Sequence, residues 1–323
     1  MAVRAFITGL ASTTLTGVER AFLREREPWG FILFSRNIDT PAQLSRLITS
    51  VRDAVGREAP VLVDQEGGRV QRLGPPHWPA YPPGAAYGRL YDDDAAQGMR
   101  AAYLGARLIA ADLAAVGIDV DCLPIADVPA SGADPVIGDR AYGETAQKVA
   151  VLARAVADGL LAGGVLPVLK HIPGHGRATA DSHRALRDLP LGMTAHVVYT
   201  AIDPIAPATT SVTLIRDVIR GWLGFDGLLM SDDISMGALS GSVEARARAA
   251  IAAGCDVVLH CSGELAEMQA IASAVPVLTG KAAARADAAL GRRGQVVKDD
   301  LAALRAEWTA LINAGAVARR AIS

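Results

Sequence analysis

The sequence predicts a (β/α)8 barrel of the TIM type, and three observations carry that expectation. Short apolar runs rich in Val, Ile and Leu recur along the chain with helically spaced segments between them, the pattern of βα units around a parallel sheet. Eight such runs fit within the 323 residues, about the number and length that a closed barrel uses. Several runs lead directly into polar clusters, and a barrel gathers the carboxyl ends of its strands on one face.

The runs lie at residues 3–8, 30–34, 61–64, 118–124, 165–170, 197–202, 227–231 and 257–259. Helical spacing covers residues 17–25, Pro41–Val55, 95–116, 145–162, 212–221 and Val243–Ala253, and continues from residue 265 onward. Thr40 ahead of Pro41 places a capping hydroxyl before a proline at the first helical position. Gly117 and the Gly163-Gly164 pair follow their helices as stops. An open doubly wound sheet is the competing architecture, and the lack of a G-x-G-x-x-G turn after the first run counts against its dinucleotide-binding form. The chain, residues 1–323, is read as a single catalytic barrel domain with room for irregular first units. Residues 75–83 form a proline-rich loop, and residues after about 280 a C-terminal helical extension packed on the barrel.

Composition excludes several classes of function. Hydrophobic residues make up 51% and charged residues 20%, the formal net charge is -2, and no block of Lys or Arg offers a polyanion surface, so nucleic acid is not an expected partner. Cys122, Cys255 and Cys261 each sit in or beside an apolar run and are read as reduced core residues. The start, MAVRAFITGL, lacks the pattern of a secretory leader, and no run reaches the ~18 apolar residues of a membrane span. A cytoplasmic protein with no membrane partner is expected. Nothing fixes the oligomeric state, and a monomer is the simpler expectation.

The chemistry begins where the runs end. The third leads into Asp64-Gln65-Glu66-Gly67-Gly68-Arg69 and then Arg72; the fourth into Asp127 and later Gly138-Asp139-Arg140; the fifth into Lys170 and His171; the seventh into Asp232-Asp233. One such cluster could be a solvated loop or a structural ion pair, but four in the same relative place argue for one site. The densest stretch is KHIPGHGRATADSH at residues 170–183, which holds His171, His175 and His183, three of the six histidines.

That stretch, with VDQEGGRVQRL at 63–73, GDRAYG at 138–143 and MSDDISMGAL at 230–239, resembles the bacterial β-N-acetylglucosaminidases (β-hexosaminidases) of glycoside hydrolase family 3, in the single-domain form. The likeness runs from about residue 31 to residue 239 in the family's motif order. Ile172 departs from the phenylalanine of many members, without touching the catalytic assignments.

The resemblance implies a retaining exo-hydrolase that removes terminal non-reducing β-linked N-acetylglucosamine through a covalent glycosyl-enzyme. Such an enzyme needs a nucleophile below the anomeric carbon and a proton donor beside the leaving oxygen. Asp232 is implied as the nucleophile; it follows a buried strand, and Ser231 and Ser235 leave room for a sugar, whereas Asp233 is read as structural. His183 is implied as the acid/base, oriented by Asp181, since a histidine titrates near neutral pH and residues two apart in an extended segment share a side. Gly174 and Gly176 flank His175, and this expects a loop that swings His183 over the sugar, with His175 supporting the loop. Asp64, Arg72, Arg140, Lys170 and His171 are implied as substrate-binding, and an ion-pair network among them, for instance Asp64 with Lys170, is compatible with that role.

Other readings stay open at this level. A metal hydrolase using His171, His175, Asp181 and His183 fits no known ligand spacing, so no metal and no cofactor are expected. Phosphate could replace water in resolving the intermediate, because a histidine acid/base leaves the site less negative. A β-glucosidase of the same family commonly draws its acid/base from a second domain, for which this chain is too short. A sugar-binding barrel without catalysis would lack Asp232 or His183, and both are present. The implied substrate is a small carbohydrate, a muropeptide fragment such as N-acetylglucosamine on anhydro-N-acetylmuramic acid with or without its peptide, and the implied role is cell-wall recycling.

Overall fold

A computed structural model describes residues 2–129, 136–174 and 186–320 of the chain. In chain order its strands are β1 (Arg4–Gly9), β2 (Pro28–Leu33), β3 (Val61–Val63), β4 (Gln65–Gly67), β5 (Val70–Gln71), β6 (Val120–Asp121), β7 (Leu166–Ile172), β8 (Leu191–Thr194), β9 (Leu228–Asp233) and β10 (Val257–His260). All but β4 and β5 close into a barrel in the order β1-β10-β9-β8-β7-β6-β3-β2, every pair parallel. Both faces of these strands are covered, which is why they read as continuous apolar runs; Phe6, Ile7, Phe31, Leu62, Val168 and Leu229 are all buried.

The helices are α1 (Gly17–Arg26), α2 (Pro41–Val55), α3 (Gly84–Asp93), α4 (Ala95–Ala114), α5 (Ala146–Ala162), α6 (Leu214–Trp222, a π-type turn of helix), α7 (Val243–Ala253), α8 (Leu265–Ala274), α9 (Gly280–Leu290) and α10 (Leu301–Arg320). Their ends follow local chemistry. The Thr40 hydroxyl accepts from the Gln43 N–H with Pro41 at the first position of α2, and Thr16 and Glu19 form a reciprocal capping box on α1. None of the helices among the described residues is long and apolar enough to cross a membrane.

Two features depart from the sequence reading. The sixth barrel strand is Leu191–Thr194 and not residues 197–202. Residues 197–202 carry the stronger β-propensity, yet Val198 and Ile202 are 41% and 47% exposed, and Val198 makes a lone bridge to Pro207. The true strand is short and holds Gly192, where a Cβ would stand 2.6 Å from the Ile172 side chain and 2.8 Å from the Phe225 ring. What makes this segment the strand is its parallel pairing with β7 and β9, and Gly192 lets the Ile172 and Phe225 side chains pack close against it; periodicity registers neither. The third βα unit is also irregular: the antiparallel hairpin β4–β5 and helices α3 and α4 all lie between β3 and β6.

The terminal helices engage the irregular unit. On α10 the buried Trp308 ring lies 5.5 Å from that of Tyr81, and Glu307 pairs with Arg100 of α4 at 2.7 Å. Just ahead of α10, Asp299 meets the buried Arg107 at 3.0 Å.

Candidate active site

Five charged side chains form an alternating row at the carboxyl ends of β3 and β7. Arg72 lies 3.1 Å from Asp64, Asp64 2.9 Å from the Lys170 ammonium, Lys170 2.6 Å from Glu66, and Glu66 2.8 Å from Arg140. Three cations separated by two carboxylates satisfy one another at spacings that bulk water would weaken. Burial is the largest single influence and would raise the Asp64 and Glu66 carboxyls, but the cations together, Lys170 with Arg72 for Asp64 and Lys170 with Arg140 for Glu66, outweigh it and hold both below the usual range. Burial opposes the charge on Lys170, and Asp64 and Glu66 overcome it and raise its pKa. Asp64, Glu66, Lys170 and Arg140 are thereby all biased toward their charged forms.

The elements that carry the row are held from behind. Gln65 accepts from the Arg72 and Leu73 N–H groups and donates to the Leu73 carbonyl, while its own N–H donates to Asp121 at 3.0 Å. Gly67 has φ of +91°, and a Cβ there would stand 2.3 Å from the Pro82 carbonyl oxygen, so the β4–β5 hairpin can seat against the proline-rich loop only with glycine at that position. The Arg72 guanidinium also lies over the Phe34 ring, 5.4 Å from its centroid.

Asp232 and Asp233 both border the same cavity, but their hydrogen bonds separate their work. The Asp233 carboxylate accepts from the Ser235 N–H at 3.0 Å, the Ser235 hydroxyl at 2.6 Å and the Cys261 N–H at 3.1 Å, tying the end of β9 to that of β10. Asp232 accepts from the Asp233 N–H at 2.8 Å, and no other donor among the described residues reaches it. One carboxylate is occupied in building the turn and its neighbour is left to face the cavity. His196 supports the turn from the β8 side, one ring nitrogen 2.9 Å from the Asp233 carbonyl oxygen and the other 2.7 Å from the Thr209 hydroxyl.

His171 is buried beside Asp127, with Nδ1 2.7 Å from the carboxylate and its backbone N–H donating to the same group at 3.3 Å. The cavity that collects these groups has a volume of about 230 Å3, with Ile32, Val70, Met193, Met236 and Leu259 as its apolar wall. Larger hollows of about 490 and 860 Å3 lie elsewhere and hold none of the strand-end carboxylates. Cys261 also borders the cavity and is not a core residue like Cys122 and Cys255, although burial, with Asp233 nearby, pushes its thiol well up.

The structure thus brings Asp64, Arg72, Arg140, Lys170, His171 and Asp232 around one cavity. Asp181 and His183, and with them His175, lie outside the described residues. Glu66 and Asp127 stand in the predicted polar clusters without having been singled out. Their signal was their place after a strand, and what the sequence lacked was the partner that gives each its role. Among the described residues no group of three or more His, Cys, Asp or Glu is placed to hold a metal ion.

Comparison with known proteins adds a family. Residues 10–192 and 188–293 match the model described as the N-terminal domain of glycosyl hydrolase family 3. A β-hexosaminidase of Bordetella pertussis is 38% identical over 283 residues, 80% of this chain and 80% of that protein. One of Alkalilimnicola ehrlichii is 41% identical over 291 residues, 81% and 82% of the two chains. The crystal structure of NagZ from Neisseria gonorrhoeae in complex with N-trifluoroacetyl-D-glucosamine aligns with a TM-score of 0.85 at 27% identity, covering 97% of this chain and 98% of the other.

Proposed function

The chain belongs to glycosyl hydrolase family 3 as a β-N-acetylhexosaminidase, and from that premise we propose that it is a retaining exo-β-N-acetylglucosaminidase working through a covalent glycosyl-enzyme at Asp232. The observation that carries the reading is the division of labour at the end of β9. The Asp233 carboxylate is consumed by Ser235 and Cys261, whereas that of Asp232 faces a cavity walled by the charge row.

In this reading Asp64, Arg72, Arg140, Lys170 and His171 bind the hydroxyls of the terminal sugar, the carboxylates accepting and the cations donating. Asp232 attacks the anomeric carbon as His183 protonates the departing oxygen. His183 then takes a proton from the water that releases the sugar, with Asp181 orienting its ring. The substrate is a small carbohydrate, a muropeptide fragment with N-acetylglucosamine on anhydro-N-acetylmuramic acid, and the role is cell-wall recycling in the cytoplasm. The sequence motifs support the His183 and Asp181 assignments, and family kinship supports the substrate class.

The test compares hydrolysis of an aryl β-N-acetylglucosaminide and an aryl β-glucoside by wild type, Asp232→Ala and His183→Ala. Wild type should prefer the N-acetylglucosaminide, and both variants should lose most of the rate. A wild-type-like rate in Asp232→Ala overturns the assignment.

A further inference from the structure

Arg140 stands on a short turn, Gly138–Arg140, and the group that aims it comes from another element. Glu66 on β4 receives its guanidinium through two parallel bonds, Nε to Oε2 and Nη2 to Oε1, each 2.8 Å. The same Oε1 lies 2.6 Å from the Lys170 ammonium. A forked pair fixes the plane and the distance of a guanidinium, which a single contact does not. Lys170 has a second carboxylate in Asp64, whereas among the described residues Glu66 is the carboxylate within ion-pair distance of Arg140.

We propose that Glu66 is a positioning residue of this site, holding Arg140 and Lys170 at the spacing at which they grip the substrate sugar. The inference rests on the glycosidase reading above and deepens it. With the negative charge of Glu66 removed, the buried Lys170 and the part-buried Arg140, which now share one oxygen, would face each other with less screening. Each would turn to the remaining carboxylates around the site, Asp64, Asp127 and Asp232, and the last must keep its electrons for the anomeric carbon.

Simple tethering of the turn is a separate matter, because the hairpin holds it by a second hook outside the row. Arg69 pairs with Asp139 at 3.1 Å and donates to the carbonyls of Val136 and Ile137. Removing Arg69 loosens the tether and leaves the row intact, so the two roles can be told apart.

The experiment measures kcat and KM on an aryl β-N-acetylglucosaminide for Glu66→Gln, Arg140→Gln, the double variant and Arg69→Ala, with melting temperatures alongside. Gln preserves the shape and removes the charge. Glu66→Gln should lower kcat/KM about 10–100-fold, mostly through KM, since a misplaced binding group of this kind costs on that order. In the Arg140→Gln background the same change should cost less than about threefold, because interacting groups are not additive. Arg69→Ala should keep KM within about twofold of wild type. Side-chain NMR of Arg140 gives a readout that does not depend on the reaction: its Nε–H should exchange slowly with solvent in wild type and rapidly in Glu66→Gln. Inactive wild type would count against the hydrolase reading and leave the NMR comparison standing. An unchanged Arg140 Nε–H in Glu66→Gln, or additive losses in the double variant, would overturn the proposal.

Discussion

The carboxylate of Asp127 lies 2.7 Å from Nδ1 of His171, and both residues are buried at the mouth of the barrel. A carboxylate at that distance favours the proton on Nδ1 and thereby fixes the tautomer and the orientation of the ring. Asp127→Asn keeps the shape but can offer an amide N–H to Nδ1, which reverses the tautomer. Its kcat/KM should fall by up to about 100-fold, since a small displacement of a group that positions the substrate costs on that order. Asp127→Ala should also lower stability, by about 1–3 kcal/mol, since it removes the acceptor that the buried ring and backbone N–H of His171 share. Steady-state kinetics and denaturant unfolding of both variants check this, and full activity in Asp127→Asn would sink it.

The unequal hydrogen bonding of Asp232 and Asp233 predicts where a mechanism-based label goes. A 2-fluoro or 5-fluoro glycoside with a good leaving group should form an adduct on Asp232, identified by peptide mass spectrometry. Asp233→Asn should still accept the label, more slowly. It weakens the bonds to Ser235 and Cys261 that fix the turn, and a displacement of about 1 Å at a reacting group costs on the order of 100-fold. An adduct on Asp233 would reverse the two roles.

The barrel and most of the cavity were legible in the sequence because both depend on strand ends. Apolar runs mark the strands, and charges that directly follow them must share one face, so Asp64, Lys170 and Asp232 could be grouped without coordinates. The pairing of Glu66 with Arg140 was not legible. The two residues are 74 apart, and their meeting depends on a two-strand hairpin whose short strands have no period of their own. The sixth strand was misread for a related reason. Residues 197–202 look more like a strand than Leu191–Thr194, and the pairing of the latter with β7 and β9, seen only in three dimensions, is what separates them.

Asp121 predicts a pH dependence of stability. It is fully buried at the end of β6, its Oδ1 accepts from the Gln65 N–H, and its Oδ2 has no hydrogen-bond partner among the described residues. Burial raises its pKa well above the ordinary carboxylate value. The folded state therefore keeps a proton that the unfolded chain releases above about pH 4. Where the native state binds more protons, stability falls as pH rises. Wild type should lose stability from this site between about pH 4 and the raised folded value, and Asp121→Asn should not. The melting temperature of the variant relative to wild type should accordingly climb between about pH 4 and 7. A flat difference would show that Asp121 ionises as freely in the fold as outside it. Asp121 also has a positional role: through Gln65 it anchors the start of the hairpin that carries Glu66, so a stabilised variant that loses turnover would mark a compromise between stability and the site.

The charge row also bears on whether water or phosphate ends the reaction. A phosphorolytic enzyme must hold an anion beside the anomeric carbon, which calls for a cation with charge to spare. Arg72, Lys170 and Arg140 each have a carboxylate within 3.1 Å, and the Asp232 side chain adds negative charge to the same cavity. Seating phosphate there would mean separating a buried ion pair, and this is strongly unfavourable when no replacement partner is supplied. Water needs no such exchange. Wild type turning over an aryl β-N-acetylglucosaminide in phosphate buffer should therefore release free N-acetylglucosamine, at a rate that does not rise with phosphate at constant ionic strength. Chromatography or 31P NMR of the products decides the matter. A sugar 1-phosphate that grows with phosphate concentration would show that the row opens during turnover, and Glu66→Gln, which leaves Arg140 without its carboxylate, should then increase the phosphorolytic share of the product.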